Sequence, residues 1–183
     1  SHINRHGKVA SIHSKMCNSF PADWNMAEVV QKESIESIRQ CLIGNLMQYK
    51  VPANSANRLG KATGSLVGGN LKTLESLAGT NSDLQTRNKI LFVEDTGEYL
   101  YSLDRMFWNL KRTGKLDHLK GLIIGGFKIK KDDEGEFVSQ SERSYGSQTQ
   151  HFADIISTLT SYGADYAPSN PKIGLTELNA QLT

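Results

Sequence analysis

The chain has 183 residues, of which 38% are hydrophobic and 22% charged. That is enough for one core or two small ones, and it excludes a disordered tail. No apolar run approaches the roughly 18 residues that a bilayer-spanning helix needs, so no membrane partner is expected. The 21 Lys and Arg against 19 Asp and Glu leave a formal charge of +2, with no reason to expect nucleic acid, which is usually met by a clustered basic face.

Ser1-His2-Ile3-Asn4-Arg5-His6-Gly7 has no initiator Met and resembles neither a signal nor a transit peptide. It reads as the tail of a helix, so the chain is expected to be part of a longer polypeptide. Residues 8–13 lean towards a short strand, and a loop through Asn18, Pro21 and Asp23 follows. From Ser34 the apolar residues Ile35, Ile38, Leu42 and Leu46 recur every three or four positions, the pattern of a helix facing a core, and Pro52 excludes its continuation. Lys61–Leu71 reads as a strand running into a glycine turn. Leu71, Leu74 and Leu77 form a short helical face that Gly79 terminates.

Ile90–Glu94 is an apolar run suited to a strand buried on both faces, broken by Thr96-Gly97. A helix then carries Leu100, Leu103, Phe107 and Leu110 on one side, with Gly114 where a left-handed cap is wanted. Gly121–Phe127 is the third strand, and Lys128–Gln150 reads as a long surface loop. In that loop Lys128, Lys130 and Lys131 run straight into Asp132, Asp133 and Glu134, so the charges cancel locally. Phe152, Ile155, Ile156 and Leu159 mark a final helix. Strand and helix alternate, which argues for an α/β fold with a mainly parallel sheet and flanking helices, in one domain over residues 1–183.

Cys17 and Cys41 are too few for a disulfide framework and read as buried free thiols. No metal is expected. His2 and His6 are four apart but sit at a chain end, and no other histidines pair at helical offsets. There is no phosphate-loop lysine and no complete dinucleotide fingerprint, so no cofactor is expected either.

Ligands of parallel sheets gather beyond the carboxyl ends of the strands. The three strands run into Gly68-Gly69-Asn70, Glu94-Asp95 and Gly125-Gly126. A glycine pair before a helix is either an anion-holding turn or a turn that simply needs positive φ. Glu94, closing a dry strand, either orients a histidine for acyl transfer or faces water just past the strand. Asp95 and Glu98 read as cap or surface groups. His13 and His151 read as structural, and Trp24 and Trp108 as packing residues.

Leu66-Val-Gly-Gly-Asn-Leu71, Leu74-Glu-Ser-Leu-Ala-Gly79, Ile90-Leu-Phe-Val-Glu-Asp-Thr-Gly-Glu98 with Tyr101-Ser-Leu-Asp-Arg-Met106, and Gly121-Leu-Ile-Ile-Gly-Gly126 together resemble the LD-carboxypeptidase serine peptidases. That family includes the murein tetrapeptide carboxypeptidases and the microcin-immunity peptidases. The resemblance implies the C-terminal domain of a two-domain cytoplasmic enzyme, with residues 1–7 the tail of an N-terminal domain that carries the nucleophilic serine. It implies a murein-derived peptide as substrate, release of its terminal D-alanine without a metal, and the N-terminal domain as partner; a homodimer stays open. Glu94 matches the acid of the family's Ser-His-Glu triad, and Gly69 and Asn70 match its substrate-side turn.

Two departures from the family pattern stand out. The Gly-aromatic-Ser-Asp nucleophile motif is absent from these residues. In addition, Ser161-Tyr-Gly-Ala-Asp-Tyr-Ala-Pro-Ser-Asn170 stands where the family has a strand and its histidine. The alternative is therefore a catalytically incomplete relic or a binding module for cell-wall peptides.

Overall fold

A computed structural model of the chain describes residues 2–14, 16, 20–50, 60–130 and 178–180. The chain divides into two compact units, residues 54–174 and residues 2–53 with 175–183.

In the second of these, helix α1 (His2–Gly7) opens the chain, in agreement with the helix-like reading of those residues. The strand expected over residues 8–13 is not formed. No described strand pairs with that segment, and an extended segment without a partner gains no ladder to hold it. Helix α2 (Val29–Leu42) begins earlier than Ser34. The Glu28 N–H donates to Gln31 Oε1 at 3.2 Å, one half of a capping box that fixes where the helix starts.

The stripe expected to face a core does not do so among the described residues. No residue of α2 is buried, and Leu42 and Leu46 are each 71% exposed. Cys41, expected to be buried, is half-buried, and Cys17 lies outside the described residues. The described sheet of this unit pairs β1 (Met47–Tyr49) antiparallel with β5 (Leu178–Ala180), three residues each, too small a surface to cover four helical turns.

Residues 60–130 form the other unit's described part: β2 (Leu66–Asn70), α3 (Leu71–Ser76), β3 (Ile90–Glu98), α4 (Leu100–Arg112) and β4 (Gly121–Ile129). A helix in each crossover lets successive strands run parallel. The sheet is parallel throughout, in the order β2-β3-β4, and the α/β expectation holds.

Side chains alternate along β3, so Leu91 and Val93 share a face. They meet Leu71 and Leu74 of α3, Leu103, Met106, Phe107 and Leu110 of α4, and Phe127 of β4 in one buried cluster. The α4 spacing read from the sequence is the spacing that buries. At its centre the Phe107 and Phe127 rings lie 6.3 Å apart, tilted by 40°. Gly114 closes α4 at φ +69°, the left-handed cap the sequence calls for.

Strand bounds differ from expectation at two glycine sites. β3 does not break at Thr96-Gly97, and β4 runs past Gly125-Gly126 to Ile129. In the ladder, Val93 and Asp95 face Ile124 and Phe127, so β4 carries an extra residue at Gly125-Gly126. Thr96 and Glu98 then face Lys128 and Ile129, so β3 carries one at Gly97, where φ is +88°. These are β-bulges that offset each other and let the strands continue. The final helix expected at Phe152–Leu159 and most of the expected loop lie outside the described residues.

The loop between α3 and β3 is tied to the end of α4. Lys115 Nζ reaches Asp83 Oδ2 at 2.7 Å and Leu84 O at 2.9 Å, while Thr86 Oγ1 donates to Lys115 O at 2.6 Å. Burial pushes the Asp83 carboxyl up, but the Lys115 ammonium and the Gly79 N–H outweigh it and hold the group below the usual aspartate value.

Candidate functional site

The Gly68-Gly69 pair is not a turn. It lies inside β2, with φ +142° and +140°, a region L side chains rarely adopt. A Cβ placed on Gly68 would sit 1.8 Å from the Phe92 carbonyl oxygen, so glycine is what lets β2 come against β3 here. The chain leaves the strand at Asn70, which caps α3: its Oδ1 accepts from the Thr73 N–H and from Thr73 Oγ1, both at 3.0 Å.

Asp95 locks this junction from the neighbouring strand. It is 3% exposed. Its Oδ1 accepts from Asn70 Nδ2 at 3.0 Å and from the Thr96 N–H at 2.8 Å, and its Oδ2 accepts from the Lys72 N–H at 2.9 Å. One carboxylate thus binds the end of β2 and an unpaired N–H in the first turn of α3. Of the two readings of Asp95, cap or surface group, the cap agrees with its bond to the Lys72 N–H and the surface position does not hold. Asp95 follows Leu91 and Val93 at the period of two that marks the core face, and that alternation is the signal that could have found its burial.

Glu94 points the other way. A Cβ on Gly125 would lie 2.8 Å from the Phe92 ring and 3.1 Å from Glu94 Cβ, which puts Phe92, Glu94 and Gly125 together on the face away from α3 and α4. Glu94 is in register with Asn70, at the level where β2 stops and β3 and β4 run on. Glu94 is half-buried, and glycine on the adjacent strand lets the Phe92 ring pack close beside it. Such a group can accept an N–H hydrogen bond and steady a positive charge on the donor. Among the described residues no three His, Cys, Asp or Glu side chains are grouped to hold a metal ion.

Gly69 is buried in β2 and Asn70 is half-buried; Asn70 is in register with Glu94 and Gly69 with Val93, while the Asn70 side chain turns to Asp95, on the face opposite Glu94. Their order along the chain agrees with a known profile: residues 63–164 match the LD-carboxypeptidase C-terminal domain. The chain belongs to the LD-carboxypeptidase family. A probable murein peptide carboxypeptidase of Bacillus subtilis is 48% identical over 68 residues, covering 37% of this chain and 21% of that protein. The murein tetrapeptide carboxypeptidase of Pseudomonas aeruginosa is 30% identical over 132 residues, covering 69% of this chain and 42% of that one. Among solved structures, a muramoyltetrapeptide carboxypeptidase of Oxalobacter formigenes superposes with a TM-score of 0.57 at 27% identity, over 72% of this chain and 41% of that one. The chain therefore spans less than half the length of these family members.

The other candidates fall elsewhere. His13 is exposed and lies in the other unit, and His151 is outside the described residues. Neither tryptophan packs in the core. Trp24 is 50% exposed with Lys32 Nζ 5.8 Å from its ring, and Trp108 is half-buried on α4 under two cations.

Proposed function

We propose that this LD-carboxypeptidase domain, within a longer polypeptide, supplies the acid of a serine carboxypeptidase that releases the terminal D-alanine from murein-derived peptides. The observation that carries the reading is the pairing of Glu94 with Asn70 at the carboxyl end of β2, beyond which β3 and β4 run on. A parallel sheet offers its ligand crevice at such a point. The family relatives named as murein peptide carboxypeptidases support the substrate class.

In this mechanism a serine from the N-terminal domain attacks the amide carbonyl, and a histidine takes its proton and passes it to the leaving D-alanine. Glu94 accepts the other imidazole N–H, holds the productive tautomer and stabilises the imidazolium. Gly69 and Asn70 line the substrate side. The Asn70 amide is committed to the α3 cap and to Asp95, so it shapes the wall more than it grips the peptide. The reaction needs no metal, and the site works in the cytoplasm.

The test is to incubate the full-length polypeptide with a murein tetrapeptide and measure free D-alanine. Release supports the reading. Saturable binding of the peptide without release would favour the alternative, a relic or binding module.

A further inference from the structure

The outer face of α4 carries a feature that the proposed reaction does not use. Arg105, Trp108, Asn109 and Arg112 occupy positions i, i+3, i+4 and i+7 and line one shallow depression of about 280 Å³. Both arginines are exposed, and neither is in an ion pair among the described residues. Each is held over an aromatic ring: Arg105 Cζ is 5.1 Å from the Tyr101 centroid, and Arg112 Cζ is 5.4 Å from that of Trp108. Lys111 Nζ also lies over Trp108, at 5.1 Å.

The strip extends to the end of the sheet. Tyr101 stacks on Tyr99 at 5.5 Å, and Lys130 Nζ lies 5.4 Å from the Tyr99 ring. The carboxylates nearby are engaged. Glu75 accepts from Asn109 Nδ2 and lies 3.7 Å from Lys72 Nζ, Glu98 accepts from Ser102 Oγ, and Asp104 has a partner of its own.

We infer that this face docks an acidic peptide segment of a partner protein, with Arg105 and Arg112 acting as a two-pronged clamp for its carboxylates. A guanidinium resting on a ring loses less freedom on binding and turns its fork of N–H donors outward, the geometry that takes a carboxylate bidentately. Seven helical residues separate the two forks by about 10 Å. A polyproline-like acidic segment presents carboxylates three residues apart on one side, about 9 Å from each other.

Charge complementarity favours an anion over an apolar partner, because cations cap the rings. Nucleic acid fits less well. Its bases need open aromatic faces, and here cations and a neighbouring ring occupy them.

The test uses the 183-residue chain, a fluorescein-labelled deca-glutamate peptide and a labelled 20-nucleotide oligo-dT, read by anisotropy at low salt. Wild type is expected to bind the peptide. Arg105→Ala/Arg112→Ala, with unchanged circular dichroism, should weaken binding at least about tenfold, and Arg105→Lys/Arg112→Lys should restore only part of it. Peptide binding that is absent in wild type or unaffected by the alanine pair overturns the proposal, as does full rescue by lysine or tighter binding of the oligonucleotide.

Discussion

Asp95→Ala should cost more than any other single polar truncation in the described sheet. The carboxylate is 3% exposed and receives three hydrogen bonds. Its removal takes the acceptor from the Asn70 amide and the Lys72 N–H, the two bonds that tie β2 and α3 to β3, whereas the Thr96 N–H bond is local to the next residue and is not counted. A hydrogen bond to a charged group contributes about 1.5–3 kcal/mol. Two such bonds at the low end, on a partly buried junction, give a loss of about 3 kcal/mol. With a urea m-value of about 2 kcal/mol per M, the midpoint falls by about 1.5 M. Asp95→Asn keeps one acceptor but turns an amide N–H₂ towards the Lys72 N–H or the Asn70 amide, so about half that loss is expected. Unfolding would be followed by Trp108 fluorescence in a Trp24→Phe background, which reports the unit holding Asp95. Hydrogen exchange at Lys72 and Thr73 should quicken in both variants. A midpoint shift below about 0.3 M for Asp95→Ala would refute the claim that this carboxylate holds the β2–α3 junction.

Gly68→Ala should fail to fold cooperatively, since its Cβ would lie 1.8 Å from a backbone oxygen at a φ of +142°; a variant that melts like wild type contradicts the close approach of β2 and β3. The Asp83–Lys115 pair predicts an acid-labile loop. The folded carboxyl titrates below its unfolded value, so its stabilisation is complete above about pH 4 and is lost as pH falls through the folded pKa. Asp83→Asn should therefore flatten the acid limb of the stability curve, and an acid limb identical to wild type would show that the pair contributes nothing.

The apolar face of α4 and the two buried runs of β3 and β4 were legible because burial and periodicity coincide there. The parallel order followed from the alternation of elements. The glycines misled, because the same residue type serves a turn, a bulge and a close strand contact, and only pairing distinguishes them. Gly125-Gly126 and Gly97 read as strand ends because the compensating bulge that rescues each lies on the other strand. For Asp95 a capping role was legible, but its burial was not: an acid after an apolar run reads as a cap or surface group unless its parity with Leu91 and Val93 is weighed above its charge. The Leu42 and Leu46 stripe shows the reverse case, an amphipathic pattern for which the described residues provide no covering surface.

The role assigned to Glu94 is tested most directly by Glu94→Gln in the full-length polypeptide. The substitution keeps the size and an acceptor oxygen but removes the charge that steadies an imidazolium. D-alanine release should fall by about 10⁴-fold in kcat at an unchanged melting temperature. Turnover equal to wild type would contradict the account.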